Sequence, residues 1–299
     1  MEYGLQNDTL EVRVQTKGAE LAGVRHRQSG REMLWQANPA VWGWHAPLLF
    51  PYCGGLYGDV LLANGQAFPA PRHGFARHKE FALAGRQAQT LELVLHSNAE
   101  TLAVYPYHFE LKVGYHLAQN TLLQTVTVTN PGGAASSVLP FSVGFHPAFS
   151  LPLAPGEKTE SCEILFSSPE TPLVVATPGG YVSGQKQPLF KGQSSLPLTD
   201  SLFSADSICM EGLVSKTLTL HQKGVPVGGG PGVRVGIQGF AHTLLWGPPK
   251  GPLPFVCIEP WHGLPDGPAR YEDFAQKPGI TRLQPGQVWQ TTLSMQFFG

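Results

Sequence analysis

The sequence predicts an all-β protein, a large antiparallel β-sandwich in a single domain over residues 1–299. Three observations predict it: period-two alternation, turn residues between the alternating stretches, and a lack of helical pattern. In "DTLEVRV", Leu10, Val12 and Val14 face one way while Glu11 and Arg13 face the other. "HFELKVGYHL" sets Phe109, Leu111, Val113, Tyr115 and Leu117 against Glu110, Lys112 and His116. "LLQTVTVTN" and the final "WQTTLSMQF" read as half-buried strands of the same kind. Asn64-Gly65 predicts a tight hairpin, and "NPGG" at 130–133 ends a strand. With 35 Gly and 27 Pro there is little room for long helices, although "NPAVWGW" and "ARYEDFA" each allow a turn or two. Residues 151–201, rich in Pro, Gly and Ser, predict a loop-heavy excursion. "VGGGPG" at 227–232 lacks the Lys-Ser/Thr of a phosphate loop and reads as a connection between strands.

The composition narrows the function. Hydrophobic residues make up 42% of the chain and charged residues 14%, enough apolar material for a sizeable core. A net charge of -1, with no basic run or acidic tail, argues against nucleic acid or a membrane surface as partner. No apolar stretch approaches a membrane-spanning length, and "MEYG" opens no charged-then-apolar signal pattern, so the expected compartment is the cytoplasm. Cys53, Cys162, Cys209 and Cys257 form no CxxC pair and read as buried small hydrophobes rather than a zinc site or disulfide framework.

Four stretches could carry chemistry. "FVCIEPWHG" places Glu259 directly after a strand-like apolar run; it is either a surface-turn acid or a buried carboxylate that must find partners or shift its pKa. "RHGFAR" carries His73 and Arg77. "SVGFHPAF" runs a strand into His146, where Pro147 halts the ladder. "LFSADSICM" places Asp206 at the start of an apolar run. Histidine suits proton transfer near neutral pH. Taken singly, His146 also fits a satisfied core histidine, Arg77 a surface cation and Asp206 a turn cap. His26, His78, His96, His108, His116 and His221 fall on polar faces or loops, where solvent exposure is expected.

Together and in this order, "APLLFPYCGG", "HGFAR", "GFHPAF" and "CIEPWHG" resemble the aldose 1-epimerase (mutarotase) family, in particular its LacX-like branch. The resemblance runs from "GAEL" near residue 18 to "KPGITRLQPGQ" near 277. It implies the galactose mutarotase-like supersandwich and interconversion of sugar anomers without metal or organic cofactor. It assigns the general acid to His146, the general base to Glu259, a second active-site histidine to His73, a substrate contact to Arg77 and, on a looser motif, the sugar-binding aspartate to Asp206. Trp261 is either a stacking surface for a sugar ring or core. The implied partner is a small sugar bound by a monomer or homodimer. Related sequences often carry Arg shortly before "AP-LFP", where this chain has "WGWHAP" with Trp44 and His45. That loss weakens the case for a phosphorylated or acidic sugar. His262, just after Glu259, is expected to tune the carboxylate. Two other readings remain: a carbohydrate-binding module without catalysis, and a metal-dependent enzyme ligated by His73, His146 and Glu259.

Overall fold

A computed structural model describes residues 1–133 and 137–299. The alternating stretches become long strands. Leu10–Gln15, Glu110–Ala118, Thr121–Thr129 and Val288–Phe298 each bury one face. Thr121–Thr129 ends where "NPGG" begins. Among the described residues these strands build two large antiparallel sheets and a smaller N-terminal one. The nine-stranded sheet runs, in spatial order, Gln193–Pro197, Cys162–Glu170, Thr217–Gln222, Gly232–Gly236, Val288–Phe298, Thr121–Thr129, Glu110–Ala118, Thr90–His96 and Ala82–Arg86. The eight-stranded sheet is centred on Phe255–Trp261, flanked by His242–Trp246 on one side and by Gly144–Phe145 and Ala148–Ser150 on the other. One apolar cluster takes in Leu111, Val113 and Val126 of the first sheet, Val256 and Ile258 of the second, and Val12 and Val24 of the N-terminal sheet. That is a sandwich core. No helix among the described residues is long and apolar enough to cross a membrane.

The Asn64-Gly65 hairpin forms as expected. Ala63 pairs with Gln66, and both turn residues have positive φ (52° and 73°), the type I′ geometry whose twist suits a two-residue loop. Segment 223–231, containing most of "VGGGPG", connects the paired strands Thr217–Gln222 and Gly232–Gly236. All four cysteines are free and buried.

Two expectations are refined and one changes. Residues 151–201 are loop-rich as expected, but the excursion also contributes the strands Cys162–Glu170, Leu173–Val175, Lys186–Pro188 and Gln193–Pro197. Cys162, Ile164 and Phe166 do alternate inward, but the Ser and Pro that follow mask the pattern. "NPAVWGW" makes one turn, within what the sequence allows, closed by Trp42 N–H donating to the Asn38 carbonyl (2.9 Å), and "ARYEDFA" leads into the 3-10 turn Phe274–Gln276 capped by Asp273. His26 and His221 are buried rather than exposed. His221 lies 3.3 Å from Glu163 and 3.2 Å from the Val225 carbonyl, and His26 pairs with the Ser29 hydroxyl, so each has a polar partner that permits burial.

Candidate active site

The opening run "FVCIEPW" is a central strand, Phe255–Trp261, with every residue buried. Both of its faces are covered, which is why it reads as continuously apolar rather than alternating. Val256 and Ile258 point to the sandwich core; Cys257, Glu259 and Trp261 share the opposite face. Glu259 is therefore a buried acid, 1% exposed. The same alternation carries His262 away from it. His262 Nε2 pairs with the Thr291 hydroxyl (2.8 Å), and its ring packs on Phe240 and Trp289. The expectation that His262 tunes Glu259 is thus corrected.

Strand register explains why His146 meets Glu259. Ala148 pairs with Cys257, and Gly144 pairs with Trp261, so position 146 lies opposite 259 in the same antiparallel register. Pro147 has no N–H to donate. It interrupts the ladder between Gly144–Phe145 and Ala148–Ser150 rather than halting it, and the side chain of His146 is aimed at its neighbour across the gap. His146 Nε2 lies 3.3 Å from Glu259 Oε2. Trp42 stacks on the imidazole at 5.0 Å, and Trp246 meets it edge-on.

"RHGFAR" is a tight loop above this pair. His73 and Gly74 both adopt left-handed φ (68° and 72°), and a Cβ at position 74 would collide with the Phe50 carbonyl, so the glycine is sterically required. His73 is tied to Gly54 twice: its own N–H donates to the Gly54 carbonyl (2.7 Å), and its Nδ1 accepts the Gly54 N–H (3.1 Å). An accepting Nδ1 on a neutral ring leaves Nε2–H as a donor. The His73 ring lies edge-on to His146 and to Trp261, 5.6 and 5.7 Å away. Arg77 donates to the Arg72 carbonyl (2.9 Å) and lies over the Trp44 ring at 5.0 Å.

These side chains line one cleft of about 220 Å³ that brings together all six residues expected from the sequence: His73, Arg77, His146, Asp206, Glu259 and Trp261. Asp206 sits in a turn with φ 91°, its carboxylate accepting the Ser207 N–H (2.8 Å). Trp261 is 3% exposed and its indole N–H donates to the Phe145 carbonyl (3.2 Å), so it is both core and cleft wall. Arg72, Trp42 and Trp246 also line the cleft, and the sequence reading assigned none of them. Arg72 opens the quoted "RHGFAR", which was the available signal. One wall is pinned by a buried ion pair, Lys277 Nζ to Asp266 Oδ1 at 2.7 Å; Asp266 also accepts the Tyr57 N–H.

Burial opposes charge on both central groups. It pushes the Glu259 carboxyl well above the ordinary carboxylate range, with the Asp206 charge adding to the effect. It pushes His146 down to about 3, with Arg77 contributing. His73 is held neutral by burial, then by His146, Arg77 and Arg72. Burial thus favours the arrangement with the shared proton on the Glu259 carboxyl and a neutral imidazole. The charged arrangement places that same proton on His146. Among the described residues, the donor atoms of His146, Cys257 and Glu259 lie within 4.8 Å of one another; His73, the third ligand in the metal reading, is not in that group.

Comparison with known proteins identifies the family and the fold. The aldose 1-epimerase family model matches residues 1–296. Protein LacX of Lactococcus lactis subsp. lactis is 34% identical over 300 residues, 95% of each chain. Among solved structures, a galactose mutarotase related enzyme from Lactobacillus acidophilus superposes with a TM-score of 0.92 at 29% identity, covering 100% of this chain and 98% of that one. A galactose mutarotase-like protein from Lactobacillus casei gives 0.89 at 27% identity, covering 99% and 100%. The chain belongs to the aldose 1-epimerase family, isomerases acting on carbohydrates.

Proposed function

We propose that this cleft interconverts the α and β anomers of a free aldose by opening and reclosing the sugar ring. The observation that carries the reading is the 3.3 Å approach of His146 Nε2 and Glu259 Oε2 in a cleft that also holds His73, Arg77 and Asp206. Glu259 takes the proton of the anomeric O1 hydroxyl, His146 delivers one to the ring oxygen O5, and the C1–O5 bond breaks to give the aldehyde. Rotation about C1–C2 presents the other carbonyl face, and the two groups reverse their roles on closure. The pair needs one proton in total, which either member can hold at this separation. Sugar hydroxyls donating to the carboxylate favour the charged arrangement, which acts. The Nε2–H of His73 supports charge developing on a sugar oxygen, as preorganised donors do. Asp206 and Arg77 bind hydroxyls, and Trp261 offers an apolar wall.

The test is Glu259→Gln, which keeps shape and hydrogen bonding but cannot accept the proton. Saturation-exchange NMR of glucose and galactose anomers should show turnover falling by roughly two orders of magnitude or more with binding little changed. His146→Asn should lose a comparable amount, and the double variant much less than the product. Near-full exchange in Glu259→Gln removes the carboxylate from the mechanism. Sugar binding without exchange in the wild type makes the protein a binding module.

A second reading, a sugar bearing an anionic group, is favoured by one observation. Arg72 and Arg77 both line the cleft, and neither pairs with a carboxylate among the described residues. Arg72 thus supplies a cleft cation where the chain has Trp44-His45 in place of the Arg of related sequences. Running the same exchange assay on a hexose and its 6-phosphate separates the two readings.

A further inference from the structure

We propose that His146, Cys257 and Glu259 form an inhibitory binding site for a thiophilic divalent cation such as Zn2+, reached from the sugar cleft. Their donor atoms converge within 4.8 Å, and all three residues are buried. The convergence is built into the sheet. Cys257 and Glu259 are two apart on one strand and share a face, and His146 projects beside them from the interrupted neighbouring strand. A tetrahedral zinc ion, with bonds of about 2.0–2.3 Å, needs donors roughly 3.3–3.7 Å apart, so the cluster closes on an ion by a shift of about 1 Å. The ion takes the place of the proton held between His146 Nε2 and Glu259 Oε2, 3.3 Å apart, and His146 Nδ1 has no competing hydrogen-bond partner.

The donor set also selects the metal. One thiolate, one imidazole and one carboxylate suit zinc or cadmium, whereas magnesium and calcium prefer oxygen alone. Binding is balanced by proton release: the Cys257 thiol and the Glu259 carboxyl each give up a proton as the metal–sulfur and metal–oxygen bonds form, and His146 binds as the neutral ring. His146 and Glu259 line the cleft while Cys257 lies behind them, so an ion enters from the sugar side and leaves its fourth position facing the cleft. An ion held there occupies both the base and the acid. Inhibition thus rests on the anomerase reading; metal binding itself does not.

The experiment titrates the full-length protein with CdCl2 and follows the ultraviolet Cd2+–thiolate charge-transfer band. The expected result is a band saturating at one equivalent, lost in Cys257→Ala and weakened in Glu259→Gln, whose thiol is intact. Circular dichroism checks the fold of both variants. In the exchange assay Zn2+ should inhibit the wild type, a chelator should restore activity, and Cys257→Ala should keep its basal turnover while needing at least about 10-fold more Zn2+ for half inhibition. No band in the wild type, or an unchanged band in folded Cys257→Ala, overturns the proposal. If the wild type shows the band but exchanges no anomers, the metal site stands and the anomerase reading falls.

Discussion

At Glu259 and His146 burial favours the uncharged form of each, one by holding a proton and the other by lacking one. A pair poised in this way resists titration on both sides. Adding a second proton must charge an imidazole already pushed down to about 3, and removing the first must ionise a carboxyl pushed well above its ordinary range. The one-proton form that the proposed mechanism needs therefore spans the region in which a solvated histidine would titrate. Anomer exchange followed by kcat/KM should be flat through about pH 6.5, the ordinary imidazole value, with its acid limb well below it. An inflection near that value would mean that water reaches His146 and that the dry-pair account is wrong. The residue types at this site were legible in "HGFAR", "GFHPAF" and "CIEPWHG". Their protonation was not, because it depends on burial, and the Trp42 and Trp246 rings that cover His146 lie outside all three motifs.

At the level of elements, the geometry follows from strand register, and register is where the sequence was only partly legible. Alternation announced Glu110–Ala118 and Thr121–Thr129 because each has one buried face. It could not announce that position 146 lies opposite 259, since pairing partners leave no local mark. It also concealed the side on which His262 lies until Phe255–Trp261 was known to be a strand throughout. The cleft wall shows a similar gap. "KPGITRLQPGQ" marks the family resemblance, but nothing in it discloses the work of its Lys277. Lys277 and Asp266 are 3% and 4% exposed, and Asp266 holds the Gly55–Tyr57 segment by its own N–H and by the Tyr57 N–H. Lys277→Met should destabilise the protein by about 3–5 kcal/mol in urea unfolding, because it strands a buried carboxylate, and adding Asp266→Asn should recover much of the loss. A loss under about 1 kcal/mol would mean that water already solvates the pair.

Across the whole molecule, the sandwich class was readable from patterning, whereas the sheet edges formed by strands of residues 151–201 were not, because Pro and Ser occur there within strands as well as between them. The shared core joins residues as distant as Leu5 and Phe297. A change in one buried group is therefore felt as a change in global stability, and Glu259 sets a particular debt. Its folded pKa lies above its unfolded value near 4.5. Its contribution is fully present below the unfolded value and is lost as pH rises toward the folded one, at about 1.4 kcal/mol per pH unit, because unfolding then lets the carboxyl ionise in water. The opposite slope from His146, whose folded pKa is depressed, is present with or without Glu259. Glu259→Gln should accordingly melt close to wild type near about pH 4 and progressively higher than wild type toward about pH 8 by differential scanning calorimetry, and a Tm difference that stays level across that range would contradict it. The same carboxylate that the proposed chemistry requires makes the fold more tolerant of acid than of alkali at this position, so the inactive variant is expected to be the sturdier protein in a neutral medium.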